Sequence, residues 1–119
     1  TTPLAAQQVL SFAAELYFSS GANNTGLVTT LSGPAGPQAV LHNLVTGESL
    51  TTFRNLTASS YDTPLIGTTS AGSSVLRAQV SGTVENGANA GNLSLRFRSE
   101  VAGTAVTVVR GSWWQVLQH

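Results

Sequence analysis

The residues able to move a proton or hold a metal are few: two histidines and five acids in 119 residues. His42 stands between Leu41 and Leu44 in a stretch that reads as a strand, and His119 is terminal. Glu15, Glu48, Asp62, Glu85 and Glu100 are scattered singly. No two of them have the matched spacing that acid–base work on one bond requires. Metal ligation needs His and carboxylate clusters, and none is visible. Cysteine is absent, which excludes thiolate nucleophiles, sulfur-held metals and disulfides. The glycines sit in turn clusters rather than in a phosphate-cradling loop. No catalytic residue, metal ligand or cofactor site is therefore expected.

Two groupings suit recognition instead. Arg96 and Arg98 share one face of one strand, with Glu100 next along, and Arg77 and Glu85 are expected on the same outward face of a neighbour. Such a face is either a solvated, cross-strand-paired surface or an ion-pair patch for another subunit or an acidic partner. Trp113 and Trp114 are adjacent, so in a strand they point to opposite sides. One is expected to fill the core, and the other to meet solvent, a partner or a carbohydrate. Val109, Trp114 and Val116 read as a spare apolar face, and Tyr61 with a tryptophan and Arg98 as the lining of a shallow ligand site. Asn23, Asn55 and Asn92 each open a glycosylation acceptor pattern, which arises often by chance in so Asn- and Thr-rich a chain.

Composition points the same way. Charged residues make up 8% of the chain, all five cations are arginine, and the formal net charge is zero. A typical domain carries roughly a quarter. Neither nucleic acid nor an anionic membrane is expected as partner. A surface of Ser, Thr, Asn, Gln and Gly with little net charge favours permanent assembly. No apolar run reaches the roughly 18 residues of a membrane span, and no charged-then-apolar leader is seen. Without an initiator methionine, the chain is expected to be processed or part of something longer.

The elements that must carry these groups alternate with a period of two. Phe12, Ala14, Leu16 and Phe18 oppose Ser11, Ala13, Glu15, Tyr17 and Ser19. Leu76, Ala78, Val80, Gly82 and Val84 oppose Val75, Arg77, Gln79, Ser81, Thr83 and Glu85. Leu93, Leu95 and Phe97 alternate with polar residues in the same way. Extended chain with one buried face produces this pattern. The reading is a single all-β domain over residues 9–119, an antiparallel β-sandwich of about eight strands and jelly-roll-like character, preceded by an arm over residues 1–8. Strands are expected over 9–20, 27–31, 39–45, 49–56, 75–85, 92–101, 104–110 and 112–117. A turn at 21–26 is expected to join the first two as a hairpin, and residues 46–48 to turn a second hairpin. A long loop over 57–74 is expected to be pinned near Tyr61, Leu65 and Ile66, and the last half to run as a meander.

Several segments also follow a familiar order. They are Pro3–Leu4–Ala5–Ala6, Phe12–Ala13–Ala14–Glu15–Leu16–Tyr17–Phe18, Leu31–Ser32–Gly33–Pro34–Ala35–Gly36, Asn86–Gly87–Ala88–Asn89–Ala90–Gly91–Asn92–Leu93–Ser94–Leu95–Arg96–Phe97 and Gly111–Ser112–Trp113–Trp114. With these, the chain resembles the small β-rich structural proteins and C-terminal modules of tailed bacteriophage virions. The resemblance covers nearly the whole chain except residues 40–74. It implies a jelly-roll-like domain, located in the virion, that oligomerises (usually as a homotrimer) on a capsid surface, tail or fibre. The partners it implies are further copies and virion proteins such as the major capsid or tail protein. The expected function is a non-enzymatic capsid decoration or tail-fibre module. The alternative is a carbohydrate- or receptor-binding module that attaches to a host surface glycan. The interface or ligand candidates are Trp113, Trp114, Val109, Val116, Arg96, Arg98 and Tyr61.

Overall fold

The computed structural model describes residues 1–119 other than Ala71 and Ser73. Ten strands follow one another: β1 (Thr2–Leu4), β2 (Val9–Ser20), β3 (Leu27–Ser32), β4 (Ala39–Gly47), β5 (Phe53–Ala58), β6 (Leu65–Gly67), β7 (Val75–Glu85), β8 (Gly91–Ser99), β9 (Val106–Val108) and β10 (Trp113–Gln118). They form one sheet of order β1-β8-β3-β6 and a six-stranded sheet of order β10-β2-β7-β4-β5, in which β9 also pairs with β2.

The topology follows from one hairpin. β4 and β5 pair directly, and outward from them β3 pairs with β6, β2 with β7 and β1 with β8, all antiparallel. This nested ribbon is then wound so that β7 meets β4 and β8 meets β3. Eight strands wound this way are a jelly roll, the antiparallel sandwich that the alternation predicts.

Alternation also sets the layers. In β2 every second residue is buried, with Leu10, Phe12, Ala14, Leu16 and Phe18 on the inside. β7 buries Leu76, Ala78, Val80 and Val84 beside them. The other sheet supplies Leu4, Leu27, Leu31, Leu65 and Leu93. Gly82 lies opposite both Phe12 and His42 in the ladder, and a Cβ there would strike the Leu41 carbonyl and the Phe12 ring. A bare backbone at that point lets two rings share one row.

Several connections differ from expectation. β2 and β3 belong to different sheets, so residues 21–26 cross the sandwich instead of turning a hairpin. The last four strands do not form a meander; β7, β9 and β10 join one sheet and β8 the other. Turn composition marks where a chain reverses, whereas the partner of each strand is set by which apolar faces meet across the core. The β4–β5 hairpin exists, but its turn spans residues 48–52, closed by a hydrogen bond from the Glu48 N–H to the Thr52 carbonyl (2.8 Å). Within the 57–74 loop, whose positions 71 and 73 lie outside the described residues, β6 pairs with β3 and buries Leu65. The expected N-terminal arm is folded onto its own sheet: Thr2–Leu4 pairs with Gly91–Leu93, and Leu4 is buried.

Candidate functional site

Four of the candidates, Val109, Trp113, Trp114 and Val116, gather where the C-terminal ribbon meets the free side of the sandwich. β9 and β10 share one edge of β2, pairing with its residues 18–20 and 10–15 respectively. Between them the register gains two residues, from Phe18 opposite Val108 to Glu15 opposite Trp113. The extra chain forms a jog. Val109 N–H donates to the Tyr17 carbonyl (2.7 Å), and Tyr17 N–H donates to the Ser112 Oγ (3.1 Å). Ser112 Oγ in turn donates to the Val109 carbonyl (2.9 Å). Gly111 takes φ of 101°, a left-handed conformation that suits glycine. An even number of inserted residues preserves the side-chain parity, so Val106, Val108, Trp114 and Val116 all face inward and pack on the core.

The adjacent tryptophans thus divide as alternation requires. Trp114 stacks on Phe12 with centroids 5.4 Å apart and planes 22° apart, and its Nε1 donates to Thr2 Oγ1 (3.1 Å). Trp113 lies on the outer face and is 45% exposed. Val116 and Trp114 are therefore wall material, and the spare apolar groups of β10 are Trp113 and Leu117.

β1 covers β8 only from Gly91 to Leu93, so beyond it the sandwich gapes. The gap is a cleft of about 360 Å³ walled by Leu16, Leu95, Phe97, Val108, Trp113 and Trp114, with Thr1 and Ser112 as polar rim. This volume lies within the range of small-ligand pockets. Phe97 carries the inward parity of Leu93 and Leu95, yet it is 51% exposed because nothing closes over that half of β8. Alternation assigns Phe97 a face but not a neighbour, so this wall was hidden in the sequence.

The other candidates lie apart. Arg96 and Arg98 project from the outer face of the four-stranded sheet, over a shallow groove shared with Val28, Thr30, Asp62 and Phe97. Arg77 is not beside them; it belongs to the other sheet and pairs with Glu15 at 3.4 Å. The same Glu15 oxygen accepts from the Tyr17 hydroxyl (2.9 Å), and that hydrogen bond, with burial and the carboxylate charge, raises the Tyr17 pKa. Tyr61 lines a separate hollow formed by residues 33–40 and 59–62 at the loop end of the sandwich. Its buried hydroxyl has no partner among the described residues, and burial raises its pKa. Tyr61, Arg98 and the tryptophans do not converge on one site.

His42 is enclosed. It points into the core with no solvent exposure, its Nε2 is 3.4 Å from Thr29 Oγ1, and its Nδ1 lacks a partner among the described residues. Burial lowers its pKa to about 4. Among the described residues no three His, Cys, Asp or Glu side chains come together.

The outer face of the six-stranded sheet is a broad, mostly polar surface. Gln115, Ala13, Ser81, Asn43 and Thr57 lie side by side across it, and the next row reads Trp113, Glu15, Gln79, Val45 and Asn55. Asn43 Nδ2 donates to Asn55 Oδ1 and Thr57 Oγ1, both at 2.8 Å. Ser11 Oγ meets Thr83 Oγ1 at 3.2 Å and His119 Nε2 at 2.8 Å. The one charge in these rows, Glu15, is neutralised by Arg77. Small, mutually bonded, uncharged groups cost little to desolvate. Comparison with known proteins finds no matching family, no matching curated protein and no matching solved structure.

Proposed function

We propose that this chain is a non-enzymatic structural module of a bacteriophage virion. It works as a homo-oligomer, trimeric by its resemblance, that docks on the major capsid or tail protein as a decoration or fibre module. The observation that carries the reading is the sparsely charged outer face of the six-stranded sheet, where Asn43 bonds Asn55 and Thr57, Ser11 bonds Thr83 and His119, and Glu15 is paired with Arg77. A face of this kind loses little hydration when another subunit covers it. Jelly rolls serve widely as capsid domains, which supports the reading by analogy of architecture alone.

The test is co-sedimentation of the purified chain with capsids or tails, together with light scattering against the 12.3 kDa monomer mass. Particle binding by an oligomer is the expected result. A monomer at micromolar concentration that binds no particle overturns the reading. A second reading, attachment to a host surface glycan, is favoured by exposed Trp113 at the rim of a cleft that also presents Ser112 and Thr1. Lectins also use this architecture. Glycan-array binding lost on Trp113→Ala, with the fold retained, selects it over docking.

A further inference from the structure

We infer that β10 pairs edge to edge with β10 of a second copy about a two-fold axis, joining two six-stranded sheets into one. This deepens the self-association part of the proposed function and rests on that part alone. β10 is the outer strand of its sheet. Among the described residues the other sheet edges carry charge or are short. β5 holds Arg54, the uncovered part of β8 holds Arg96 and Arg98, and β1 and β6 are three residues each. β10 reads Trp-Trp-Gln-Val-Leu-Gln, with no charge, proline or glycine. Natural edges normally carry such blocking residues, and a flat edge without them invites another strand.

The occupant follows from the register. His119 N–H donates to the Val9 carbonyl (3.1 Å), continuing the ladder in which Trp113, Gln115 and Leu117 oppose Glu15, Ala13 and Ser11. Main-chain groups of alternate residues point to opposite sides of a strand. The N–H and C=O of Trp114 and Val116 therefore project toward the empty edge. An antiparallel copy satisfies them when Trp114 pairs with Val116 of the partner subunit, and Val116 with Trp114 of the partner subunit. In that register Trp113 packs against Leu117 of the partner subunit, twice by symmetry, and Gln115 meets Gln115 of the partner subunit on the axis. Trp113 and Leu117 are the two exposed large apolar groups of the strand, at 45% and 61%. A shift of two residues instead sets Trp113 against His119 of the partner subunit and Leu117 against Gln115 of the partner subunit. The strand is complementary to itself in the first register.

The experiment is sedimentation velocity of the whole chain from roughly 1 µM to 1 mM, since a six-residue edge buries less than the ~1,000 Å² of a durable contact. Expected is a concentration-dependent doubling of mass that Gln115→Lys weakens about 3- to 5-fold, because like charges then face each other across the axis. Mixing Gln115→Lys with Gln115→Glu restores the doubled species as a heterodimer. Gln115→Cys cross-links on oxidation, because facing residues of a non-hydrogen-bonded pair have Cα atoms about 4.5 Å apart, within disulfide reach. Gln115 is exposed, so these changes spare the fold. If a trimer forms and ignores Gln115→Lys, the edge contact is refuted while self-association stands. If a hexamer falls to trimers on Gln115→Lys, the contact is supported beside a separate trimer interface. A monomer throughout refutes both. Particle binding that Gln115→Lys abolishes, with the free chain monomeric at every concentration, assigns the edge to a virion protein and overturns the second copy.

Discussion

His42 shows how burial turns a titratable group into a pH-sensitive core residue. Its pKa of about 4 in the fold stands against an ordinary 6.5 in the open chain. Between those values the unfolded chain binds the extra proton, so stability is full above about pH 6.5 and falls as pH drops toward 4. From pH 7 to pH 5, above the range where ordinary carboxylates titrate, the loss is about 2 kcal/mol. Urea midpoints at the two values measure it, and His42→Leu is expected to remove most of the difference. Gly82, opposite His42 in the ladder, tests the packing of the same row. Gly82→Ala forces a methyl into the Leu41 carbonyl and the Phe12 ring, and is expected to cost about 1–3 kcal/mol in denaturant unfolding. The Glu15–Arg77 pair, by contrast, has an exposed arginine and contributes little.

At the scale of elements, β9 and β10 act as one edge strand held in two pieces. Their jog depends on Ser112 Oγ, which accepts from Tyr17 and donates to Val109. Ser112→Ala leaves a backbone donor in a half-buried place without its acceptor, and a loss of about 1 kcal/mol is expected. The two tryptophans then separate stability from association. Trp114→Ala empties the space against Phe12 and is expected to cost about 2–4 kcal/mol. Trp113→Ala removes a side chain that is 45% exposed, and is expected to cost less than about 1 kcal/mol. Thermal unfolding of both variants measures the contrast, which reverses if Trp113 carries the packing.

For the whole molecule, the outer faces decide how it meets a partner. The six-stranded sheet shows hydrogen-bonded Ser, Thr and Asn, and the four-stranded sheet shows Arg96 and Arg98 without an ion pair among the described residues. The first face carries only Glu85 beside the paired Glu15 and Arg77, so docking through it is expected to hold from about 0.05 to 0.5 M salt, where Debye screening changes severalfold. Docking through the arginines would weaken across the same range. Co-sedimentation with particles at the two salt concentrations reads the difference. Arg96→Ala combined with Arg98→Ala is expected to leave binding within about 2-fold, consistent with the small worth of exposed charges.

The period-two alternation of residues 9–20 and 75–85 was enough to establish a one-sided β-core, because a strand can hide such a pattern only against a second layer. It also placed one of Trp113 and Trp114 inside and one outside, since adjacent residues in extended chain cannot share a face. Pairing was another matter. β2 lies against β7, β9 and β10, all at least 55 residues away in the chain, and no local signal specifies partners at that separation. Nor could spacing announce that β1 stops at Leu93 and leaves Leu95 and Phe97 facing Trp114 across an open cleft. Faces are a property of the strand, legible from its own residues. Neighbours and edges arise only when two sheets close over one core, and there the tertiary structure alone decides.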